Sequence, residues 1–169
     1  MRWRNEKRGD SLEIHNVPVT TTENAEMIVL AIANEMGIEL TPSDISTAYR
    51  LPQKKEKVGK TTPRLYVKFT RRSMKKLIYS TRSKKKVTHH QLGIGTNGKI
   101  YIHDHLSKSQ LDFYYNPKDK VKDLGYKFLW TQDLKIYVRR NEKSERIIIN
   151  NETDLDNLKK CHQLNSRYH

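Results

Sequence analysis

The residues in this chain best placed to do chemistry are cations. Between Ala48 and His90 stand fifteen lysines and arginines: Arg50, Lys54, Lys55, Lys57, Lys60, Arg64, Lys68, Arg71, Arg72, Lys75, Lys76, Arg82, Lys84, Lys85 and Lys86. The only acid among them is Glu56, so the stretch carries +14, which is also the net charge of the whole 169-residue chain. A cationic excess confined to one segment suits a polyanion, and nucleic acid is the commonest. Each lysine or arginine that meets a phosphate releases a counterion, so such binding tolerates any sequence and weakens with salt. Arg71, Arg72, Lys75 and Lys76 open a predicted helix, where cations oppose the macrodipole and a partner would account for their placement. Lys84-Lys85-Lys86 is the most compact cluster, and it also reads as a nuclear-import signal.

A second basic and aromatic set follows at Tyr126, Lys127, Trp130, Lys135, Tyr137, Arg139 and Arg140. On a hairpin, alternation places Lys135, Tyr137 and Arg139 on one face and Ile136 and Val138 on the other. A tyrosine between cations is a platform for a nucleic-acid strand, whereas Trp130 is expected to pack on the hairpin. The other reactive side chains lack catalytic or metal-site spacing. His89-His90 point apart in a strand, His103 and His105 flank Asp104, and Cys161-His162 are sequential. None has the CxxC or HExxH spacing of a zinc site. Gly93 to Gly98 lacks the Lys-Ser/Thr of a phosphate loop, and no nucleophile elbow occurs. We therefore expect no enzyme, no cofactor and no metal, and histidines that simply occupy the surface.

Composition bounds the rest. Hydrophobic residues are 35% and charged residues 31%, which gives a modest core and a well-solvated surface. The single cysteine, Cys161, excludes an internal disulfide and suits a reducing compartment. No apolar run approaches the roughly 20 residues that span a bilayer. Met1 to Asp10 lacks the apolar core of a signal peptide. An intracellular protein of cytoplasm or nucleus is expected, with no membrane partner.

The elements that must position these groups follow from periodicity. Leu12 to Val17 alternates as a strand that Pro18 ends. Thr20 and Glu23 form a capping box, and Ile28, Ile32 and Met36 stripe a helix over Glu23 to Met36 before Gly37. Ile45 to Leu51 and Arg64 to Phe69 are strands, Arg71 to Arg82 a helix, and Thr88 to Ile94 a weaker fourth strand. That order is the split βαβ, ferredoxin-like pattern: an α+β fold with a four-stranded antiparallel sheet and two helices on one face. The glycines from Gly93 to Gly98 mark a boundary. Beyond them, a strand at Lys99 to His103, a helix from Leu106 through Leu111 and Tyr115, the hairpin, a strand at Ile147 to Ile149 and a helix over Thr153 to Lys160 form a small α+β domain. The expected divisions are a basic extension at 1–10, a first domain at 11–95, a second at 99–160 and a tail at 161–169.

This order predicts faces. Leu12, Ile14, Val67 and Phe69 pack on the helices, and Glu13, His15, Arg64, Tyr66 and Lys68 stand on the open face. RNA-recognition-motif domains bind single-stranded bases on that face by stacking on aromatics of the first and third strands. Here Glu13 and Arg64 replace two such positions, and Tyr66 alone is retained. The fold is therefore expected to be RRM-like, with phosphate contacts outweighing base readout.

The chain also resembles known families. Leu12-Glu13-Ile14-His15-Asn16-Val17-Pro18, Glu23-Asn24, Asp44-Ile45, Tyr49-Arg50-Leu51 and Val67-Lys68-Phe69 resemble the gag-like first-open-reading-frame proteins of LINE-type retrotransposons. Ile100 to Ser107, Leu124 to Trp130 and Lys135 to Glu142 resemble the C-terminal domain of the baculovirus few-polyhedra (FP) protein, which also occurs in insect retroelement products. The resemblance implies an RRM-like domain, a small α+β domain and a non-enzymatic ribonucleoprotein or nucleic-acid chaperone role. Single-stranded RNA or DNA is the implied partner, with self-association a further option. Such proteins usually carry an N-terminal coiled coil; no heptads occur here, so coiled-coil assembly is not expected. The alternative is an assembly module of viral or virus-derived origin whose basic segment docks an acidic protein.

Overall fold

The computed structural model describes residues 9–53, 55–59, 61–106 and 118–166. They form two compact units, one spanning Gly9–His105 and one from Leu106 onward. In the first, β1 (Ser11–His15), α1 (Ala25–Glu35), β2 (Ile45–Arg50), β3 (Leu65–Phe69), α2 (Arg72–Thr81) and β4 (Tyr101–Asp104) follow in the predicted βαββαβ order. The sheet is antiparallel throughout, in the order β2-β3-β1-β4. Alternation sets its two faces. Leu12, Ile14, Leu65, Val67, Phe69 and Ile102 are buried with Val29, Ile32 and Ala33 of α1 and Ile78 and Tyr79 of α2.

Local chemistry sets the ends of the elements. The Asn24 side chain caps α1 by accepting from the Met27 amide at 3.1 Å. Gly37, at φ 73°, lets the chain turn left-handed so that the Ile38 amide reaches the Ala33 carbonyl at 2.9 Å. Asn16, at φ 64°, ends β1 before Val17, and its side chain donates to the Lys99 carbonyl at 2.9 Å.

The fourth strand is a correction. Thr88 to Ile94 is not a strand; the chain there winds around His89 and makes a 3-10 turn at His90–Leu92. The buried His89 ring bonds Thr96 Oγ1 at 2.8 Å and the Asn16 carbonyl at 2.6 Å. The strand expected to open the second domain at Lys99 instead closes the first sheet, pairing Glu13 with His103 and Ile14 with Ile102. The division between units accordingly falls after His105 rather than between 95 and 99. A buried ion pair joins this strand to the helix layer, with Lys75 Nζ of α2 2.5 Å from Asp104 Oδ1 of β4.

In the second unit, α3 (Lys118–Asp123), β5 (Phe128–Gln132), β6 (Lys135–Arg139), β7 (Ile147–Ile149) and α4 (Glu152–Ser166) enclose Val121, Tyr126, Ile136, Val138, Ile149, Leu155 and Leu158. The hairpin turn is short. Asp133 and Leu134 alone bridge the strands, both at positive φ, which suits the right-handed twist of the strands. The expected helix from Leu106 through Tyr115 and most of the extension at 1–10 lie outside the described residues. Among the described residues no helix is long and apolar enough to cross a membrane.

Lys75 is 1% exposed. Lys75→Ala removes the ammonium that balances the buried Asp104 carboxylate and should destabilise the first unit by about 3–5 kcal/mol. Lys76→Ala, one residue on and exposed, should stay within about 0.5 kcal/mol in the same denaturation experiment.

Candidate nucleic-acid interface

The basic stretch separates into cations that the fold consumes and cations that it leaves at the surface. Arg50 is a structural clamp. Its guanidinium donates to both Glu23 carboxylate oxygens at 2.8 Å and to the backbone carbonyls of Val17, Pro18 and Pro63. Arg64 donates to Glu13 at 2.8 Å, and Arg71 to Asp44 at 2.7 Å. The Arg71 partner also settles the macrodipole objection at the start of α2, since Asp44 lies against the helix entrance. The Arg50 hydrogen bonds hold the Glu23 carboxyl below its ordinary range, and the Thr41 amide followed by Arg71 does the same for Asp44. Lys68 is a looser case, 3.9 Å from Asp10. Two site expectations are therefore corrected. Lys75 is sealed under α2, and Arg50 has spent its donors, so neither is free to hold a phosphate.

The surface cations are Arg72 and Lys76, one turn apart on the outward side of α2, then Lys84, Lys85 and Lys86 in the loop that leaves it, and Lys55. Among the described residues none of these lysines has a carboxylate partner. The Lys84 and Lys85 amides both donate to the Thr81 carbonyl, so the lysine loop wraps the C-terminal end of α2, where positive charge is favoured. Arg82 folds back over the Tyr79 ring at 3.5 Å. Lys54, Lys60 and the Lys57 side chain lie outside the described residues.

On the other side of the sheet the predicted open-face residues appear together, but with different chemistry from that expected. One cross-strand row runs Tyr49, Tyr66, Glu13 and His103 over β2, β3, β1 and β4. Tyr66 is not a free platform. Its hydroxyl bonds Ser11 Oγ at 2.9 Å, and its ring is flanked by Tyr49 at 5.0 Å and His105 at 4.9 Å. The aromatics open to solvent are Tyr49, 47% exposed, and Tyr101, 52% exposed, at the two edges of the sheet. Glu13, only 3% exposed, forms the centre. It accepts from Arg64, from His15 Nε2 at 3.1 Å and from His105 Nδ1 at 2.9 Å. Burial alone would raise the Glu13 carboxyl, but the two histidine hydrogen bonds and the Arg64 charge outweigh it and hold the group well below the usual carboxylate range. Sequence reasoning missed this network. The residue types were visible, but only the strand register brings His105 and Arg64 to Glu13. Among the described residues no group of three His, Cys, Asp or Glu side chains is placed to hold a metal ion.

In the second unit the hairpin alternates as expected, with Ile136 and Val138 in the core and Lys135, Tyr137 and Arg139 on the other face. Tyr137, however, is 7% exposed. Trp130 stacks on it at 5.5 Å, and Arg146 lies over its ring at 5.0 Å. Arg139 sits over the Phe128 and Trp130 rings, and Arg140 over Tyr126. These rings are stacked on one another and on arginines, so Tyr137 offers no face to a base, and Trp130 packs on the hairpin as predicted. Lys135 is exposed.

The depressed Glu13 carboxyl makes an acid-stability prediction. Its folded value lies below its unfolded one, so its contribution is present above the ordinary glutamate pKa of about 4.3 and is lost as pH falls below it. Thermal melts should show stability falling as pH drops through that range. Glu13→Gln should flatten the fall, and an unchanged profile would contradict the network.

No curated protein matches the chain. Residues 108–159 match the family model described as Baculovirus FP protein domain 2, so the C-terminal unit is similar to that viral domain, as its motifs suggested.

Proposed function

We propose that this chain binds single-stranded nucleic acid, RNA in preference, through phosphate contacts and without regard to sequence. It acts as a non-enzymatic chaperone of viral or retroelement origin built on an RRM-like unit. One observation carries the reading: after Glu13, Glu23, Asp44 and Asp104 have each taken a cation, Arg72, Lys76, Lys84, Lys85 and Lys86 are left exposed on α2 and the loop that leaves it, with Lys55 exposed before β3. Lysines supply point charges without the fork of donors that reads base edges, so this surface grips a backbone and ignores sequence. The open face supports the same division of labour. A buried carboxylate with its own donors occupies its centre, and Tyr66 is flanked on both sides. The similarity of residues 108–159 to a baculovirus domain supports the viral side of the reading. Lys135, Arg139 and Arg140 add positive charge in the second unit.

The test is a salt series with fluorescently labelled single-stranded oligonucleotides, RNA and DNA compared. Each phosphate contact contributes about −0.7 to the slope of log K against log salt for a single strand. The quadruple variant Lys76→Ala, Lys84→Ala, Lys85→Ala, Lys86→Ala should make the slope shallower by about 3, and Tyr66→Ala should leave it unchanged. A slope that ignores the four lysines would remove the proposal. A capture experiment that brings down an acidic protein after nuclease treatment would favour the protein-docking alternative.

A further inference from the structure

The open face of the four-stranded sheet has an unusual charge make-up. Its fixed charges cancel, because Glu13 is paired with Arg64 and Lys68 lies near Asp10. What is left is a set of imidazoles. His15 and His105 each donate one ring N–H to the same buried carboxylate, through Nε2 and Nδ1 respectively. That assigns their tautomers. The remaining nitrogens, His15 Nδ1 and His105 Nε2, have no partner among the described residues, and both side chains are partly exposed, at 27% and 22%. A carboxylate that orients two imidazoles, and balances them when they charge, prepares both to gain a proton and present an N–H outward.

We propose that this face is a second, proton-dependent site for the phosphodiester backbone of a nucleic-acid strand, formed by His15 and His105 on the Glu13 carboxylate. The inference rests on the nucleic-acid reading above and adds a site that the lysine surface does not contain. With both imidazoles neutral the paired fixed charges leave the face with no net positive charge. With both protonated it carries two added charges and two outward N–H groups, between the exposed rings of Tyr49 and Tyr101 at its edges. Several groups facing the imidazoles bear on the titration. They are Glu13 on β1, Tyr49 on β2, Arg64, Tyr66 and Lys68 on β3, and Tyr101 and His103 on β4, with Asp10 before β1. Arg82, at the end of α2, also acts on His103. His103 is a bystander. Desolvation of its ring, which packs edge-on to His15 at 4.5 Å, and the His15 charge push it down to about 4.

The experiment measures binding of a fluorescein-labelled single-stranded oligothymidylate across salt, at about pH 8 and about pH 5.5, on either side of the ordinary imidazole value of about 6.5. For the native chain the slope of log K against log salt should steepen by about 1.4 at the lower pH, two contacts at about 0.7 each. His15→Gln with His105→Gln keeps an N–H for Glu13 but cannot charge, and should bind with the same slope at both pH values. His103→Gln should behave as the native chain. Should the double variant misfold, imidazole NMR signals of the native chain give the same answer. Those of His15 and His105 should move on adding the oligonucleotide at the lower pH and stay still at the higher. Equal slopes in the native chain at both pH values would overturn this site while leaving the lysine surface intact. An undiminished pH effect in the double variant would overturn it too. No binding at either pH would remove both readings.

Discussion

A charge taken out of water must be matched, and that requirement organises the first unit of this protein. Four carboxylates are buried or nearly so, and each has a cation bound to it: Glu13 with Arg64, Glu23 with Arg50, Asp44 with Arg71, and Asp104 with Lys75. An isolated carboxylate in such surroundings is too costly to keep ionised, so these pairs are conditions of the fold rather than ornaments. They are also its fasteners. Arg50 ties the start of α1 to β2 and to the loops around Pro18 and Pro63, and Lys75 ties α2 to the edge strand β4. The cations that the fold spends in this way are unavailable for anything else.

What the pairing leaves over is therefore informative. Among the described residues, Lys76, Lys84, Lys85 and Lys86 stand on the outside of α2 and in the loop wrapped around its C-terminal end. The opposite side of the sheet, where an RRM-like fold would present aromatics, is instead centred on a buried glutamate with two imidazoles. In the second unit arginines lie over the aromatics of the sheet, Arg139 over Phe128 and Arg146 over Tyr137, and Trp130 stacks on Tyr137.

Much of this architecture was legible before the structure. The alternation of Leu65, Val67 and Phe69 against Tyr66 and Lys68 set the two faces of β3, and the apolar stripe of Ile28 and Ile32 set the inward side of α1. These are short-range signals, fixed by the geometry of a strand or a helix. The fourth strand was misplaced because Thr88 to Ile94 and Ile100 to His103 both carry strand-like alternation. Pairing with β1 decides between them, and pairing is not a local property. The division of cations into spent and free was illegible for the same reason: Arg64 and Glu13 are 51 residues apart, and Arg50 and Glu23 are 27 apart. Lys75 and Lys76 are identical neighbours in sequence, and only the rotation of α2 on the sheet sends one inward to Asp104 and the other to solvent.

The most direct test of the account is to map where a single strand lands at neutral pH. Backbone amide shifts followed by NMR during titration with an unlabelled oligouridylate would report it residue by residue. The account predicts that the largest changes fall on Arg72, Lys76 and Lys84 to Lys86, while Lys75, Glu13 and Tyr66 stay nearly still. Changes concentrated on Tyr49, Tyr66 and Glu13 with the lysine loop silent would contradict it, because the strand would then be reading the open sheet and the free lysines would have another purpose.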